Sequence, residues 1–318
     1  MDHEDPGVLE DAVLSVLAGT PVKEAAVRAS TSPARLSDAV ERYRAAGRAA
    51  LDTPPADWHQ VNIKFADYTT ADRAFRAYLL PALQTGPVAA WWFVRKYPCW
   101  RLRVQLAPGA RTEDTIEHVS KALDSTLSCG VATQWWPSLY EPEAVAFGGP
   151  HGVRLAHALF HADSVGVLRY YQHVTDDRGE LLGPKETSLL VTTLFLRAAG
   201  LEWGEQGDVW GQVEARRPLP TDMSPDKVSG MVGTLRRLLM LDAGPALSEG
   251  PLMLLRAWVT SMEHGARALG AAARAGDLQL GLRGILARHI LFHWNRMGFT
   301  TRQQAVWARA AREAALGR

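Results

Sequence analysis

Cysteine is scarce: only Cys99 and Cys129 occur in 318 residues, far apart in the chain. Two lone thiols supply neither a disulfide framework nor zinc-ligand spacing, and they fit a reducing compartment. Long apolar runs are missing as well, so nothing reaches membrane-spanning length. The N-terminus, Met1-Asp2-His3-Glu4-Asp5, is acidic rather than signal-like. A soluble, cytoplasmic protein is expected. An excess of one charge is also absent, since 35 Lys+Arg face 34 Asp+Glu. No bulk field therefore calls for nucleic acid or an anionic membrane. There is no low-complexity tract and no repeat of fixed period.

Tryptophan, by contrast, is plentiful, at 11 residues. Trp91, Trp92, Trp100, Trp135 and Trp136 cluster, which predicts a large aromatic-walled cleft. The densest meeting of aromatic bulk and positive charge is Trp91-Trp92-Phe93-Val94-Arg95-Lys96-Tyr97-Pro98-Cys99-Trp100-Arg101-Leu102-Arg103-Val104-Gln105-Leu106. Arg101, Arg103 and Gln105 alternate with Leu102, Val104 and Leu106, the period of a strand with one wet and one buried face. Trp91 to Arg95 reads as a second strand, with the reversal at Pro98-Cys99. Such a hairpin is expected to gather Arg95, Arg101 and Arg103 on or near one sheet surface. Guanidinium groups beside tryptophans suit an anionic ligand, and the alternative is an ordinary exposed polar face.

Around this hairpin the pattern predicts an α+β protein in three parts. Residues 1–53 form a small helical unit resembling a helix-turn-helix, with Thr20-Pro21 and Ser32-Pro33 as helix starts and Gly47 ending the third helix. Its role is DNA or peptide contact, or a helical cap on the next domain. Thr53-Pro54-Pro55 reads as a stiff link. Residues 57–148 follow the order β-α-β-β-α-β of a ferredoxin-like split βαβ unit. In it a strand alternates Val61, Ile63 and Phe65, one helix starts near Thr69-Thr70, another opens at Thr112 and ends at Gly130, and a last strand runs from Val131 to Tyr140. Residues 149–318 are mostly helical, near 152–174, 184–200, 202–214, 225–241, 251–275, 278–297 and 300–316. Gly179 to Pro184 and Asp242 to Pro251 read as loops.

Candidate chemistry sits at three places. At the junction Tyr140 to Pro150, two glycines and two prolines imply a fixed turn beside a pocket. There Glu143 is a candidate general base or the partner of a hairpin arginine. In Phe160-His161-Ala162-Asp163-Ser164, a spacing of two keeps His161 and Asp163 off a common helical face, which argues against a His-Asp dyad. Asp163-Ser164 reads as a helix cap, and Ser164 lacks a nucleophile elbow. His151, His157 and His161 have near-helical spacing but no further ligand, so no metal site is expected. Near the end of the chain His289, His293 and Arg296 share one helical face, either as a proton-transfer site or as a hydrogen-bonded helix end before Gly298.

Three segments together resemble the C-terminal elimination domain of lanthipeptide and thiopeptide dehydratases, including stand-alone thiopeptide-type bacteriocin biosynthesis proteins. They are Trp92-Phe93-Val94-Arg95-Lys96-Tyr97 with Arg101-Leu102-Arg103, Tyr140-Glu141-Pro142-Glu143 with Phe147-Gly148-Gly149, and His293-Trp294-Asn295-Arg296. The resemblance covers roughly 57 to 318. It implies removal of glutamate from glutamylated Ser or Thr of a precursor peptide, leaving dehydroamino acids, with no metal or redox cofactor. It also implies a precursor peptide, and a glutamylating partner enzyme, as partners. Carried across, the catalytic roles fall on Arg103, Glu143 and His293. Arg95, Arg101, Trp135, Tyr140 and Arg296 become substrate-binding candidates. Related members are pyridine synthases, which join two dehydroalanines in a formal [4+2] cycloaddition and expel the leader peptide. This chain departs from the pattern at Gln105 and Ala146, where the family often has arginine. Those losses keep three readings open: elimination, cycloaddition, and a non-catalytic module that binds a leader peptide or partner enzyme.

Overall fold

The computed structural model describes residues 6–52, 58–175 and 181–317. The acidic stretch 1–5, the link 53–55 and the start of the loop read at 179–184 lie outside the described residues. The chain divides into two compact units, 1–56 and 57–318.

The first unit holds α1 (Pro6–Leu17), α2 (Val22–Arg28) and α3 (Pro33–Asp52). Leu36 and Val40 of α3 pack with Val13 of α1 and Ala25 and Ala26 of α2. The two proline signals behave differently. Ser32 Oγ accepts the Arg35 backbone N–H at 3.2 Å, a side-chain cap on α3. Thr20 instead accepts from the Ser15 hydroxyl at 2.9 Å, and α2 starts only after Pro21. Gly47 does not end the third helix, because α3 continues to Asp52. A single glycine costs a helix only about 1 kcal/mol, and Arg48, Ala49, Ala50 and Leu51 are good helix formers.

The second unit begins with β1 (Trp58–Phe65). A helical segment follows as α4 (Ala71–Ala74), a π-turn (Phe75–Leu79) and α5 (Leu80–Leu83). Next come β2 (Val88–Lys96), β3 (Cys99–Leu106), α6 (Thr112–Ser128) and β4 (Ala132–Ser138). The four strands order β2-β3-β1-β4, all neighbours antiparallel, as a split βαβ unit requires. Apolar residues at every second position put Val61, Ile63, Phe93, Trp100, Leu102 and Val104 on the back face. There Phe75 meets Trp91, Phe93 and Trp100 at ring separations of 5.3 to 5.8 Å. The front face carries Trp58, Gln60 and Asn62 from β1, Trp92 and Val94 from β2, Arg101 and Arg103 from β3, and Trp136 and Ser138 from β4.

The helical half comprises α7 (Gly149–Thr175), α8 (Pro184–Ala198), α9 (Trp203–Arg216), α10 (Pro225–Met240), α11 (Gly244–Ser248), α12 (Arg256–Ala275), α13 (Leu282–Met297) and α14 (Thr301–Leu316). Two expectations are corrected here. The 242–251 segment is not all loop, since α11 lies within it, and α12 starts at Arg256 after a 3-10 turn at Met253–Leu255. Among the described residues, no helix is long and apolar enough to cross a membrane.

The long helix α7 runs along the sheet's edge strand β2, and its side chains occupy the exposed ladder. Ser164 Oγ accepts the Phe93 N–H at 3.2 Å, and His161 Nδ1 lies 2.8 Å from the Trp91 carbonyl oxygen. An edge strand covered this way cannot recruit another strand at those positions. Asp163-Ser164 is therefore not a helix cap. Both residues sit inside α7 and are buried.

Candidate functional site

The junction after β4 folds back as a 3-10 turn, Val145–Phe147, before α7 starts. Gly148 and Gly149 take φ of +86° and +91°, which side chains rarely adopt. A Cβ on Gly149 would also come within 2.5 Å of the Gln279 side chain, on the segment leading to α13, which would have to shift. The turn drives Phe147 into the core, where it meets Phe160, Phe292 and His289 at 5.1 to 5.4 Å.

In front of the sheet this leaves a small cavity of about 30 Å³, room for roughly one water molecule. Its lining includes Trp92, Arg103, Tyr140, Glu143, Phe160 and Phe292. Arg103, only 7% exposed, lies 4.2 Å from the Trp92 ring and 5.5 Å from that of Tyr140. A chain of side-chain bonds across three strands fixes it. Arg103 Nε donates to Gln60 Oε1 at 2.6 Å, and Gln60 Nε2 donates to Ser138 Oγ at 2.7 Å. Asn62 Nδ2 donates to the same hydroxyl at 2.8 Å. Arg103 Nη1 and the Trp92 indole N–H are buried donors without a partner among the described residues. Burial, with Arg101 and Arg296 nearby, pushes the Arg103 guanidinium down to about 10. It remains a cation near neutral pH.

Tyr140 and His157 extend the wall. The Tyr140 hydroxyl and His157 Nε2 share a 2.7 Å hydrogen bond, and the Trp58 ring lies 4.6 Å from His157 and 6.2 Å from Tyr140. Burial raises the Tyr140 phenol, while burial and then Arg103 lower His157 to about 4. Both are neutral near pH 7. Glu143 stands at the rim, its carboxylate 3.7 Å from Arg288 and its side chain 54% exposed.

Behind this cavity is a fully buried charged network. Asp163 Oδ2 accepts from Arg296 Nη1 at 2.6 Å, and Asp163 Oδ1 lies 2.9 Å from His293 Nδ1. The indole N–H of Trp258 donates to Asp163 Oδ1 at 3.1 Å, and the Ser188 hydroxyl lies 2.8 Å from His293 Nε2. Burial raises the Asp163 carboxyl, but His293 and Arg296 together hold it down at about 2. A Ser-His-Asp order exists here, yet Ser188, His293 and Asp163 are each at most 1% exposed, so no substrate atom reaches them in this conformation. Arg296 reaches forward, its Cζ 4.8 Å from the Phe160 ring and 5.9 Å from that of Trp92, with Nε and Nη2 unpartnered among the described residues. His289, one turn before His293, is lowered to about 3 by burial and then Arg296.

The structure thus brings Arg103, Tyr140 and Glu143 to one cavity and places Arg296 behind its Trp92 and Phe160 walls. His293 lies deeper, and Arg101 lies on the same sheet face but exposed. Two expected neighbours are elsewhere. Arg95 pairs with Trp100 on the back face, its Cζ 4.5 Å from the Trp100 ring, so the hairpin does not gather all three arginines on one surface. Trp135 is also on the back face, donating its indole N–H to Asp124 of α6 at 3.0 Å. Ser188 and Trp58 carry no role in the sequence reading, which takes Asp163 for a helix cap and His157 only for part of a metal-like spacing. For Asp163 the overlooked signal is an acid at a core position of α7, in the series Phe160, Asp163, Ser164, Val167. A His-Asp pair does form, with His293 from α13 in place of His161. Among the described residues no three His, Cys, Asp or Glu are grouped to hold a metal ion.

The model of the family "Lantibiotic biosynthesis dehydratase C-term" matches residues 58–315. Among solved structures, the chain is similar to the tRNA-dependent lantibiotic dehydratase MibB from Microbispora sp. 107891, with 18% identity and a TM-score of 0.59. That match covers 83% of this chain and 28% of MibB, so the chain spans little more than a quarter of that protein. It is also similar to TbtD, the pyridine synthase from thiomuracin biosynthesis, with 16% identity, a TM-score of 0.60, and coverage of 81% of this chain and 97% of TbtD. A third similar structure is TsrL, with 15% identity, a TM-score of 0.53, and coverage of 80% and 93%. At these identities the structures share the fold. No curated protein matches the chain.

Proposed function

As this chain belongs to the lantibiotic biosynthesis dehydratase C-terminal family, we propose that it tailors a ribosomal precursor peptide by eliminating glutamate from glutamylated Ser or Thr. The observation that carries this reading is the buried cation at the cavity. Among the described residues, Arg103 has a free Nη1 donor and no carboxylate within ion-pair distance, beside Arg296, whose acid Asp163 is shared with His293. An unneutralised guanidinium in an apolar surround favours a bound carboxylate, since charge-assisted bonds are strongest where water is excluded.

The chemistry follows from those positions. Glu143 at the rim takes the α-proton of the glutamylated residue. The Cβ–O bond breaks, and its electron pair leaves with the glutamate carboxylate, which Arg103 stabilises. The Tyr140 hydroxyl is suited to donate to the enolate-like oxygen formed on the way. Burial of His293 favours Glu143 as the base and leaves His293 a structural part. A cavity of about 30 Å³ admits this substrate only if the junction or the Trp92–Tyr140 wall moves aside. The test is release of free glutamate when the protein is mixed with a glutamylated precursor peptide made by a glutamylating enzyme. Absence of release from a competent substrate removes this reading.

A second reading is pyridine synthesis, favoured by the neutral Gln105 and Ala146 and by the Trp58–Trp92–Tyr140–His157 wall. It holds if a bis-dehydroalanine peptide loses its leader and gains a pyridine ring by mass spectrometry. Unchanged substrate counts against it.

A further inference from the structure

The front face of the sheet does not end at the cavity. Arg101 lies two residues before Arg103 on β3, on the same face, and is exposed. Lys96 lies diagonally across from it on β2, also exposed. Neither has an acidic partner within ion-pair distance among the described residues. Burial, then Arg101 and Arg217, depress the Lys96 amine, while Glu143 raises it. Next to Arg101, across Asn62 on β1, stands Trp136, a tryptophan 37% exposed. Arg101 and the open ring of Trp136 thus lie on one rung across the strands, with Lys96 diagonal to it and Arg103 one front-face position further along β3.

We propose that this strip, from Lys96 through Arg101 to Trp136, docks an acidic stretch of the peptide substrate, an inference that rests on the peptide-tailoring reading. Side chains two apart on a strand are separated by about 6.6–6.8 Å and point the same way. An extended peptide lying on the strip with its reacting residue at Arg103 therefore presents the residue two positions away to Arg101. Aspartate or glutamate there neutralises a cation that the fold leaves bare. Peptide fits better than a nucleic-acid backbone. Glu141 and Glu143 line the same mouth and would repel a continuous run of phosphates, and the chain's net charge is only +1.

The experiment is fluorescence anisotropy on the full chain with two labelled decapeptides, one with glutamate at alternate positions and one with glutamine there. The glutamate peptide binds about tenfold more tightly at low salt, and the preference shrinks when the Debye length falls to roughly 3–4 Å. The double variant Lys96→Ala/Arg101→Ala loses the preference. Arg111→Ala/Lys121→Ala, at the N-cap and on the body of α6 behind the sheet, keeps it. Equal binding of the two peptides, or an unchanged preference in the first double variant, overturns the inference. So does an RNA oligonucleotide of equal charge that displaces the glutamate peptide at lower concentration, which would assign the strip to nucleic acid. The readout needs no turnover. A chain that shows the preference but releases no glutamate from a glutamylated peptide loses the tailoring reading and keeps the strip.

Discussion

Two guanidinium groups meet the ring of Trp92, and the protein treats them in opposite ways. Arg296 is 1% exposed and bonded to Asp163, which also holds His293 and Trp258. Arg103 is almost as buried, yet among the described residues its one side-chain hydrogen-bond partner is the neutral amide of Gln60. A buried cation with a carboxylate is a closed electrostatic unit. Burial lowers the proton affinity of both guanidiniums, but for Arg296 the bonded Asp163 carboxylate opposes it, and among the described residues Arg103 has no carboxylate within ion-pair distance. The difference separates a part that organises the core from a part kept open for a ligand.

Removing the acid of the closed unit is expected to have the largest effect. Asp163→Ala leaves Arg296 and His293 buried without their counter-charge, a loss of about 3–5 kcal/mol. All 11 tryptophans lie in 57–318, so urea unfolding followed by tryptophan fluorescence reports that unit alone. The pH dependence has a definite sign. Asp163 is held at about 2 against 3.8 unfolded, so its stabilisation is complete above about pH 4 and is lost as pH falls toward 2. A variant as stable as the parent would mean the network contributes nothing.

The second effect falls on activity. Arg103→Met keeps the aliphatic stem over Trp92 and removes the unneutralised charge. Glutamate release is expected to fall about a hundredfold or more, while stability changes by less than about 1 kcal/mol in either direction. If Arg103→Met costs as much stability as Asp163→Ala, the two arginines do the same structural work and the comparison collapses.

A third, smaller effect comes from the histidine between the two regions. His289 is lowered to about 3 in the fold, against 6.5 unfolded. Between those values the unfolded chain binds a proton that the folded chain refuses, so stability is present above about pH 6.5 and drains as pH falls. At pH 5 the contribution lost is about 2 kcal/mol. His289→Gln is expected to flatten the unfolding midpoint between pH 6.5 and 4, and an unchanged slope would place the titration elsewhere.

How much of this was legible depended on whether the signal was local. The alternation Arg101, Leu102, Arg103, Val104 announced a two-faced strand, and the order β-α-β-β-α-β followed from helix starts and turn residues. The face of Arg95 did not, because it depends on the hairpin register. With Lys96 opposite Cys99, Val94 faces Arg101 and Arg95 faces Trp100, and a slip of one residue would have reversed this. Trp58 was missed because it precedes the alternating Val61, Ile63 and Phe65, although its parity with Gln60 and Asn62 puts it in front. Asp163 needed a partner 130 positions away in the chain, which no spacing rule within α7 can supply.

Trp135 gives the mildest test, because the two faces of β4 make opposite claims about two adjacent tryptophans. Trp136 faces front, beside Asn62 and the open strip. Trp135 faces back and donates its indole N–H to Asp124 at a part-exposed site. Trp135→Phe removes that one bond while keeping most of the apolar contact, and net contributions of such bonds are about 0.5–1.5 kcal/mol, less where water replaces the partner. Expected are a stability loss under about 1 kcal/mol and no change in glutamate release or in the preference for the glutamate decapeptide. Trp136→Ala is expected to weaken binding of that peptide severalfold with unfolding unchanged within about 0.5 kcal/mol, as for other surface substitutions. If Trp135→Phe lowers turnover while Trp136→Ala does not, the back face takes part in the chemistry and the assignment of the site to the front face fails.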